Sequence, residues 1–243
     1  MSDSLAQSST QSMAYCSDLL RRQDEDRWLA ARYAPEPLRC AMIALGAFGL
    51  ELHRIPGAVS EPALGEIRLQ WWREAFEEIR NGKPPRAHPV VEAVAATGLH
   101  HADYAPQIDG MIDAMTRPLY GEKHTSADNL TECLVKSDGA ADGIAAALAG
   151  GDSALVEAAI KAGAAFAMAR EGAAIAPNLA ADLPAQSLRL YQEAAPSLAN
   201  ARSELVPAFL HLSLTPIYAK NAGKSFPIRK RLRLFLAMAV AKF

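Results

Sequence analysis

The sequence is poor in the features that mark secreted, sheet-built or nucleic-acid-binding proteins. Its only cysteines are Cys16, Cys40 and Cys133, an odd number with no Cys-x-x-Cys pair and no histidines at metal-ligand spacing. They read as reduced, structural thiols of a cytosolic protein rather than as a disulfide frame or a metal site. Aromatic residues make up 7% of the 243 residues and β-branched ones are sparse, while alanine dominates the apolar half. That mixture favours helix over sheet. Charge of one sign is missing as well, with 25 basic against 27 acidic side chains. No global field draws in nucleic acid or an anionic bilayer, so no nucleic-acid partner is expected and any membrane contact is local.

Long apolar runs are also absent. None reaches bilayer-spanning length, and the opening MSDSLAQSSTQS lacks the apolar stretch of a signal or an anchor. Residues 1–12 are expected to form a disordered tail and residues 13–243 the folded domain, with a cytoplasmic location. There is no Gly-x-Ser-x-Gly, no glycine-rich phosphate loop, no dinucleotide fingerprint, no strand alternation and no internal repeat. The histidines His53, His88, His100, His101, His124 and His211 are scattered without zinc spacing.

What remains is helical pattern, clearest from Ser60 to Arg80, SEPALGEIRLQWWREAFEEIR. Leu64, Ile67, Trp71, Ala75 and Ile79 recur at three-and-four spacing, with Leu69, Trp72 and Phe76 widening the stripe, so a deeply embedded helix is expected. Ser60 serves as its N-cap, Pro62 fits its first turn, and Asn81-Gly82 followed by Pro84-Pro85 stops it. Before it, Met13–Arg22 and Asp24–Tyr33 read as helices, and Leu38–His53 as one apolar all round, with Met42, Leu45, Phe48 and Leu52 on successive turns. After it, helices are expected from His88 to His100, from Gln107 to about Met115 or Leu119, and from the Thr125-Ser126 cap through Val135. Ser137-Asp138-Gly139 interrupts that last helix, and Gly150-Gly151-Asp152 caps Ser153–Ile175, where Gly163, Ala164, Ala165 and Ala167 allow close packing. Ala185–Ala201, Val206–Ala222 and Pro227 to the C-terminus complete an all-α, single-domain antiparallel bundle.

Three patterns could carry chemistry. Two acids four apart share a helix face and can hold magnesium against a diphosphate, and Asp109/Asp113 and Asp138/Asp142 are such pairs. Acids near a helix start are equally explained by the helix dipole and by capping. The clusters Asp24-Glu25-Asp26 and Glu74, Glu77, Glu78 read as solvated helix faces. The segment PIRKRLRLFLAMAVAKF joins Arg229, Lys230, Arg231 and Arg233 to Leu232, Leu234, Phe235, Leu236 and Met238. Such a helix either lies in a membrane interface or closes the bundle with its basic heads snorkelling.

The runs AMIALGAFGLELHRIPGAVSEPALGEIRLQWWREAFEEI, HPVVEAV, QIDGMIDAM and LVPAFLHLSLTPIY resemble the squalene/phytoene synthase family, from about Tyr15 to about Tyr218. Within it they resemble a branch typified by the mitochondrial complex I assembly factor and its α-proteobacterial relatives. Gly65-Glu66-x-Arg68-x-Gln70-Trp71-Trp72 is the most specific part. The resemblance implies the isoprenoid-synthase fold, an all-α bundle around a central cavity. It also implies that catalytic relatives join two prenyl diphosphates head to head, through two aspartate-rich motifs that bind magnesium. Neither motif stands here. After Ala47-Phe48 this chain has Glu51, His53, Arg54 and Gly57, and after Gly163-Ala164-Ala165 the acid positions fall on Ala174 and Asn178.

Magnesium needs anionic oxygens, so the resemblance implies a pseudoenzyme with no catalytic residues and no cofactor. Its cavity would bind a lipid or isoprenoid through Glu51, Arg54, Glu66, Arg68, Gln70, Trp72 and Arg170. Arginine can hold a phosphate without metal; the alternative reading of Arg68 and Glu66 is a structural pair beneath the tryptophans. The implied role is assembly of a respiratory complex; a separate reading, from the residues of the C-terminal helix alone, is peripheral contact with the inner face of a membrane through that helix. The alternative is a working prenyl-diphosphate transferase whose magnesium ligands have moved to Asp109, Asp113, Asp138 or Asp142.

Overall fold

Proline marks where many of the helices begin. In the computed structural model, which describes residues 2–221 and 227–240, a proline occupies the first or second position of seven α-helices, where the missing amide costs no hydrogen bond. No strand forms among the described residues, and the chain gathers into two compact units, Met1–Glu122 and Lys123–Phe243.

The first unit contains α1 (Ser2–Gln23), α2 (Glu25–Ala31), α3 (Glu36–Arg54), α4 (Pro62–Arg80), α5 (Pro89–Thr97), α6 (Ala105–Ala114) and the single turn α7 (Thr116–Leu119). Helices α1 and α5 pack on α3 and on each other. As its periodicity requires, α3 buries Met42, Leu45, Phe48 and Leu52. Phe48 is the hub, fully enclosed, with its ring centroid 5.3 Å from Trp72 and 4.9 Å from Phe76.

Four expectations change here. The segment read as a disordered tail is helical from Ser2, and the buried Ser12 donates its hydroxyl to Glu92 on α5. The run is polar but holds no glycine or proline, so nothing stops the helix. Asp24 and Asp26 are buried rather than solvated, because Asp24 caps α2 through the Arg27 amide and pairs with the Arg27 guanidinium. Helix α4 is capped at Glu61 rather than Ser60, without a side-chain bond. Its inward stripe is Gly65, Leu69, Trp72, Ala75, Phe76 and Ile79, while Leu64 and Ile67 face solvent, Ile67 at 66% exposure. Two apolar stripes of the same period lie side by side on this helix. Gly65 selects between them, because a Cβ there would overlap the Leu119 side chain packed against it.

The second unit contains α8 (Ala127–Leu134), α9 (Ala140–Leu148), α10 (Ser153–Ile175), α11 (Leu183–Ala199), α12 (Thr215–Lys220) and α13 (Pro227–Val240). Ser126 and Asp152 cap α8 and α10 by accepting backbone amides at 3.1 and 2.9 Å. The interruption expected at Ser137-Asp138-Gly139 takes the form of a π-helical turn, Val135–Gly139. Helix α10 is the axis, packing on α9 and α11 through Ala158, Ala159, Ala162, Gly163 and their neighbours. The helix expected from Val206 is instead a wholly buried 3-10 stretch, Val206–Leu214, with non-helical backbone at Phe209 (φ −132°, ψ 18°), and α12 follows it. Ala222 and residues 241–243 of the expected helices lie outside the described residues.

Candidate functional site

A pocket of ≈ 380 Å³ opens in the first unit where α3 ends. Glu51 and Arg54 reach it from the last turn of α3, and Ile55 and Ala58 from the short turn that Pro56-Gly57 forces. Ile67, Arg68, Trp71 and Trp72 come from α4, and His88 from the residue before α5. Because α4 starts just after this turn, its second and third turns form part of the pocket wall, Trp72 belonging to the buried stripe as well.

Arg54 binds Glu51 at 3.0 Å, three residues back on the same helix, so the one carboxylate lining the pocket is engaged. Arg68 donates to the Ala58 carbonyl at 3.4 Å and spans the rim. His88 accepts the Val90 amide at Nδ1, 3.3 Å away, which leaves the ring proton on Nε2. Its ring meets Trp71 and Trp72 edge-on at 5.6 and 5.1 Å. Burial holds the His88 imidazole below its ordinary pKa, against the opposing pull of Glu51 and Glu92. The segment that carries His88 is pinned by Arg86, whose guanidinium lies 5.2 Å from the Trp71 centroid and donates to Glu78 at 2.8 Å and Glu74 at 3.1 Å. Those hydrogen bonds hold the Glu74 and Glu78 carboxyls below the usual carboxylate range. The clamp fixes the wall of the pocket from behind.

Two guanidinium groups, a neutral imidazole and two indoles suit a ligand with an apolar body and an anionic end. Among the described residues no group of three or more His, Cys, Asp or Glu side chains is placed to hold a metal ion.

Of the residues expected to bind ligand, Glu51, Arg54, Arg68 and Trp72 come together here. Glu66 instead accepts the Tyr120 hydroxyl at 2.7 Å, and Gln70 donates to Glu74 at 3.2 Å. Arg170 lies in the second unit, 4.9 Å from the Phe166 ring centroid and bonded to Glu171. Among the alternative magnesium ligands, Asp113 pairs with Arg73, and Asp109 sits half-buried one turn earlier on α6. In the second unit Asp138 lies in the π-helical turn and accepts the Ser137 hydroxyl, while the buried Asp142 lies 3.0 Å from His211. Ala174 is exposed near the end of α10, and Asn178 donates to the His124 carbonyl at 3.0 Å. Ile67, Trp71 and His88 are additional members of the pocket. Their signals were in the sequence, but His88-Pro89 reads as a helix start, and Ile67 and Trp71 as core.

Cys16 is fully buried and its thiol is pushed up to about 12 by burial and by Glu51, consistent with an unreactive structural thiol.

A family model described as squalene/phytoene synthase matches residues 20–212. Among curated proteins, the chain is 33% identical over 87 residues to NADH dehydrogenase (ubiquinone) complex I, assembly factor 6, of Homo sapiens and of Bos taurus, spanning 36% of this chain and 26% of theirs. The Drosophila melanogaster homolog is 31% identical over 65 residues, 26% of this chain and 20% of its own. The match thus spans about a quarter of the length of the mammalian relatives. A crystal structure of a dehydrosqualene synthase in complex with ligand superposes with a TM-score of 0.74 at 16% identity, covering 98% of this chain and 99% of that one. The fold is therefore the all-α, isoprenoid-synthase type.

Proposed function

The chain belongs to the squalene/phytoene synthase family, and from that premise we propose that it binds a ligand without condensing it and acts in the assembly of a respiratory complex. The observation that carries this reading is the lining of the first-unit pocket, with Arg54 and Arg68 facing one carboxylate that Arg54 already occupies. A cationic wall attracts the anionic end of a lipid or isoprenoid but offers no cage for the magnesium that ionises an allylic diphosphate. The assembly role is supported by the likeness to complex I assembly factor 6.

Purified protein given farnesyl or geranylgeranyl diphosphate with magnesium should release no product. A prenyl phosphate should quench Trp71 and Trp72 fluorescence equally well with and without chelator. Arg68→Ala should weaken that binding by roughly tenfold, the value of a charge-assisted contact. Turnover that disappears on changing a single residue would overturn the reading. In cells lacking the protein, assembled NADH:ubiquinone oxidoreductase should fall, and Arg68→Glu should fail to restore it. Normal assembly in such cells would remove the second half of the proposal.

The competing reading, a transferase with displaced magnesium ligands, predicts metal-dependent diphosphate binding lost in Asp138→Ala. It is the weaker one because Asp113 is engaged by Arg73 and Asp142 faces His211.

A further inference from the structure

Helix α13 is apolar on two sides. On its inner side Leu234 and Ala237 are buried against the 3-10 stretch Val206–Leu214. Lys230 lies 5.4 Å from the Tyr218 ring centroid and Arg233 donates to the Ser213 carbonyl at 3.2 Å, so the inner side is fastened by polar contacts as well. Ile228, Leu232, Phe235 and Leu236 point away from that side, at 81%, 56%, 59% and 45% exposure. At about 100° per residue they fall on one strip of the helix, opposite Leu234 and Ala237. Arg229 and Arg231, both exposed, fall on its two edges.

We propose that this outer strip docks α13 in the plane of an anionic lipid surface, the four apolar side chains entering the headgroup boundary and Arg229 and Arg231 meeting lipid phosphates at the rims. Charge complementarity selects this occupant: the described helix carries Arg229, Lys230, Arg231 and Arg233 and no acid. A row of long apolar side chains between two arginines is the arrangement that interfacial helices use, with the cationic heads lying level with the phosphates. Among the described residues no helix is long and apolar enough to cross a membrane, and 14 residues lying flat need not be. The face lies in the second unit, apart from the pocket residues, so its test does not depend on what the pocket binds.

The full chain should sediment with vesicles of phosphatidylcholine and phosphatidylglycerol, sediment poorly with phosphatidylcholine alone, and be released by salt. The double variant Leu232→Ser/Phe235→Ser should weaken binding by roughly tenfold or more, by loss of apolar burial. Arg229→Glu/Arg231→Glu should weaken it by at least roughly tenfold, by loss of two surface cations. The variant Leu232→Ser/Phe235→Ser should keep wild-type helicity and melting temperature, since both side chains are exposed. The proposal is overturned if the wild type ignores anionic vesicles, if either variant binds as well as wild type, or if Leu232→Ser/Phe235→Ser unfolds. It is equally overturned if the chain is a dimer that these substitutions split while vesicle binding is absent, because a second copy then owns the face.

Discussion

Asp142 Oδ1 lies 3.0 Å from His211 Nε2 inside the second unit, with side-chain exposures of 3% and 2%. The two come from different elements, α9 and the 3-10 stretch, so their contact ties together two packed segments. His211 also sits edge-on to Phe166 at 5.1 Å, which fixes its ring plane.

Removing one partner of such a contact leaves the other buried without compensation. Asp142→Ala is therefore expected to lose about 1–3 kcal/mol, the cost of leaving a buried polar group unsatisfied, read as a lowered urea midpoint with an unchanged slope. A midpoint within error of wild type would show that the pair contributes nothing.

Gly163 on α10 lies under the same carboxylate. A Cβ there would press into Asp142 and the Gly139 backbone, where little can give way. Gly163→Ala should cost about 1–3 kcal/mol, the usual penalty of overpacking, although alanine is otherwise the better helix former.

Gly65 and Leu119 make the analogous contact in the first unit, but there the nearest atoms all belong to one side chain and none to backbone. Gly65→Ala should destabilise by about 1–3 kcal/mol, and Leu119→Ala in the same molecule should recover part of it. The double-mutant cycle should thus be non-additive. Strict additivity would mean that the two residues do not contend for the same space.

His88 makes stability depend on pH in a defined direction. Its pKa is lowered by burial, so the folded chain prefers the neutral ring and the unfolded chain takes up the proton first. Its contribution is complete above the ordinary imidazole value near 6.5 and declines as pH falls below it. His100 is lowered by burial too and adds to the same window. Chemical denaturation across this range should therefore show a shallower pH slope in His88→Gln than in wild type; identical slopes would place the proton linkage elsewhere.

The helical class, most of the breaks and the caps at Ser126 and Asp152 were legible because they depend on local chemistry: proline, glycine and short polar side chains close to the backbone. The α4 stripe was not, because Leu64 and Ile67 share the period of Leu69 and Phe76, and only the arrival of Leu119 at Gly65 decides which turns inward. Four of the nine residues lining the pocket, Glu51, Arg54, Arg68 and Trp72, lie in a run that is recognisable in the sequence. His88 was missed because a capping histidine and a pocket histidine look alike in sequence; here one ring does both, Nδ1 capping α5 while the ring packs edge-on with the tryptophans. Asp24 shows the reverse failure, since a run of acids carries no mark of the arginine that pairs with one of them.

The π-helical turn between α8 and α9 has a consequence for which side chain the interior receives. In an uninterrupted α-helix Asp142 would stand about 80° around from Leu134, and Ala141 would come nearly into line with it. The wider turn absorbs roughly one residue of rotation, which brings Asp142 onto the face where Leu134 is buried and α10 packs. Straightened, the same letters would present a methyl group to His211. One peptide's worth of backbone slack, and not the choice of any side chain, decides whether an acid enters the second unit at all.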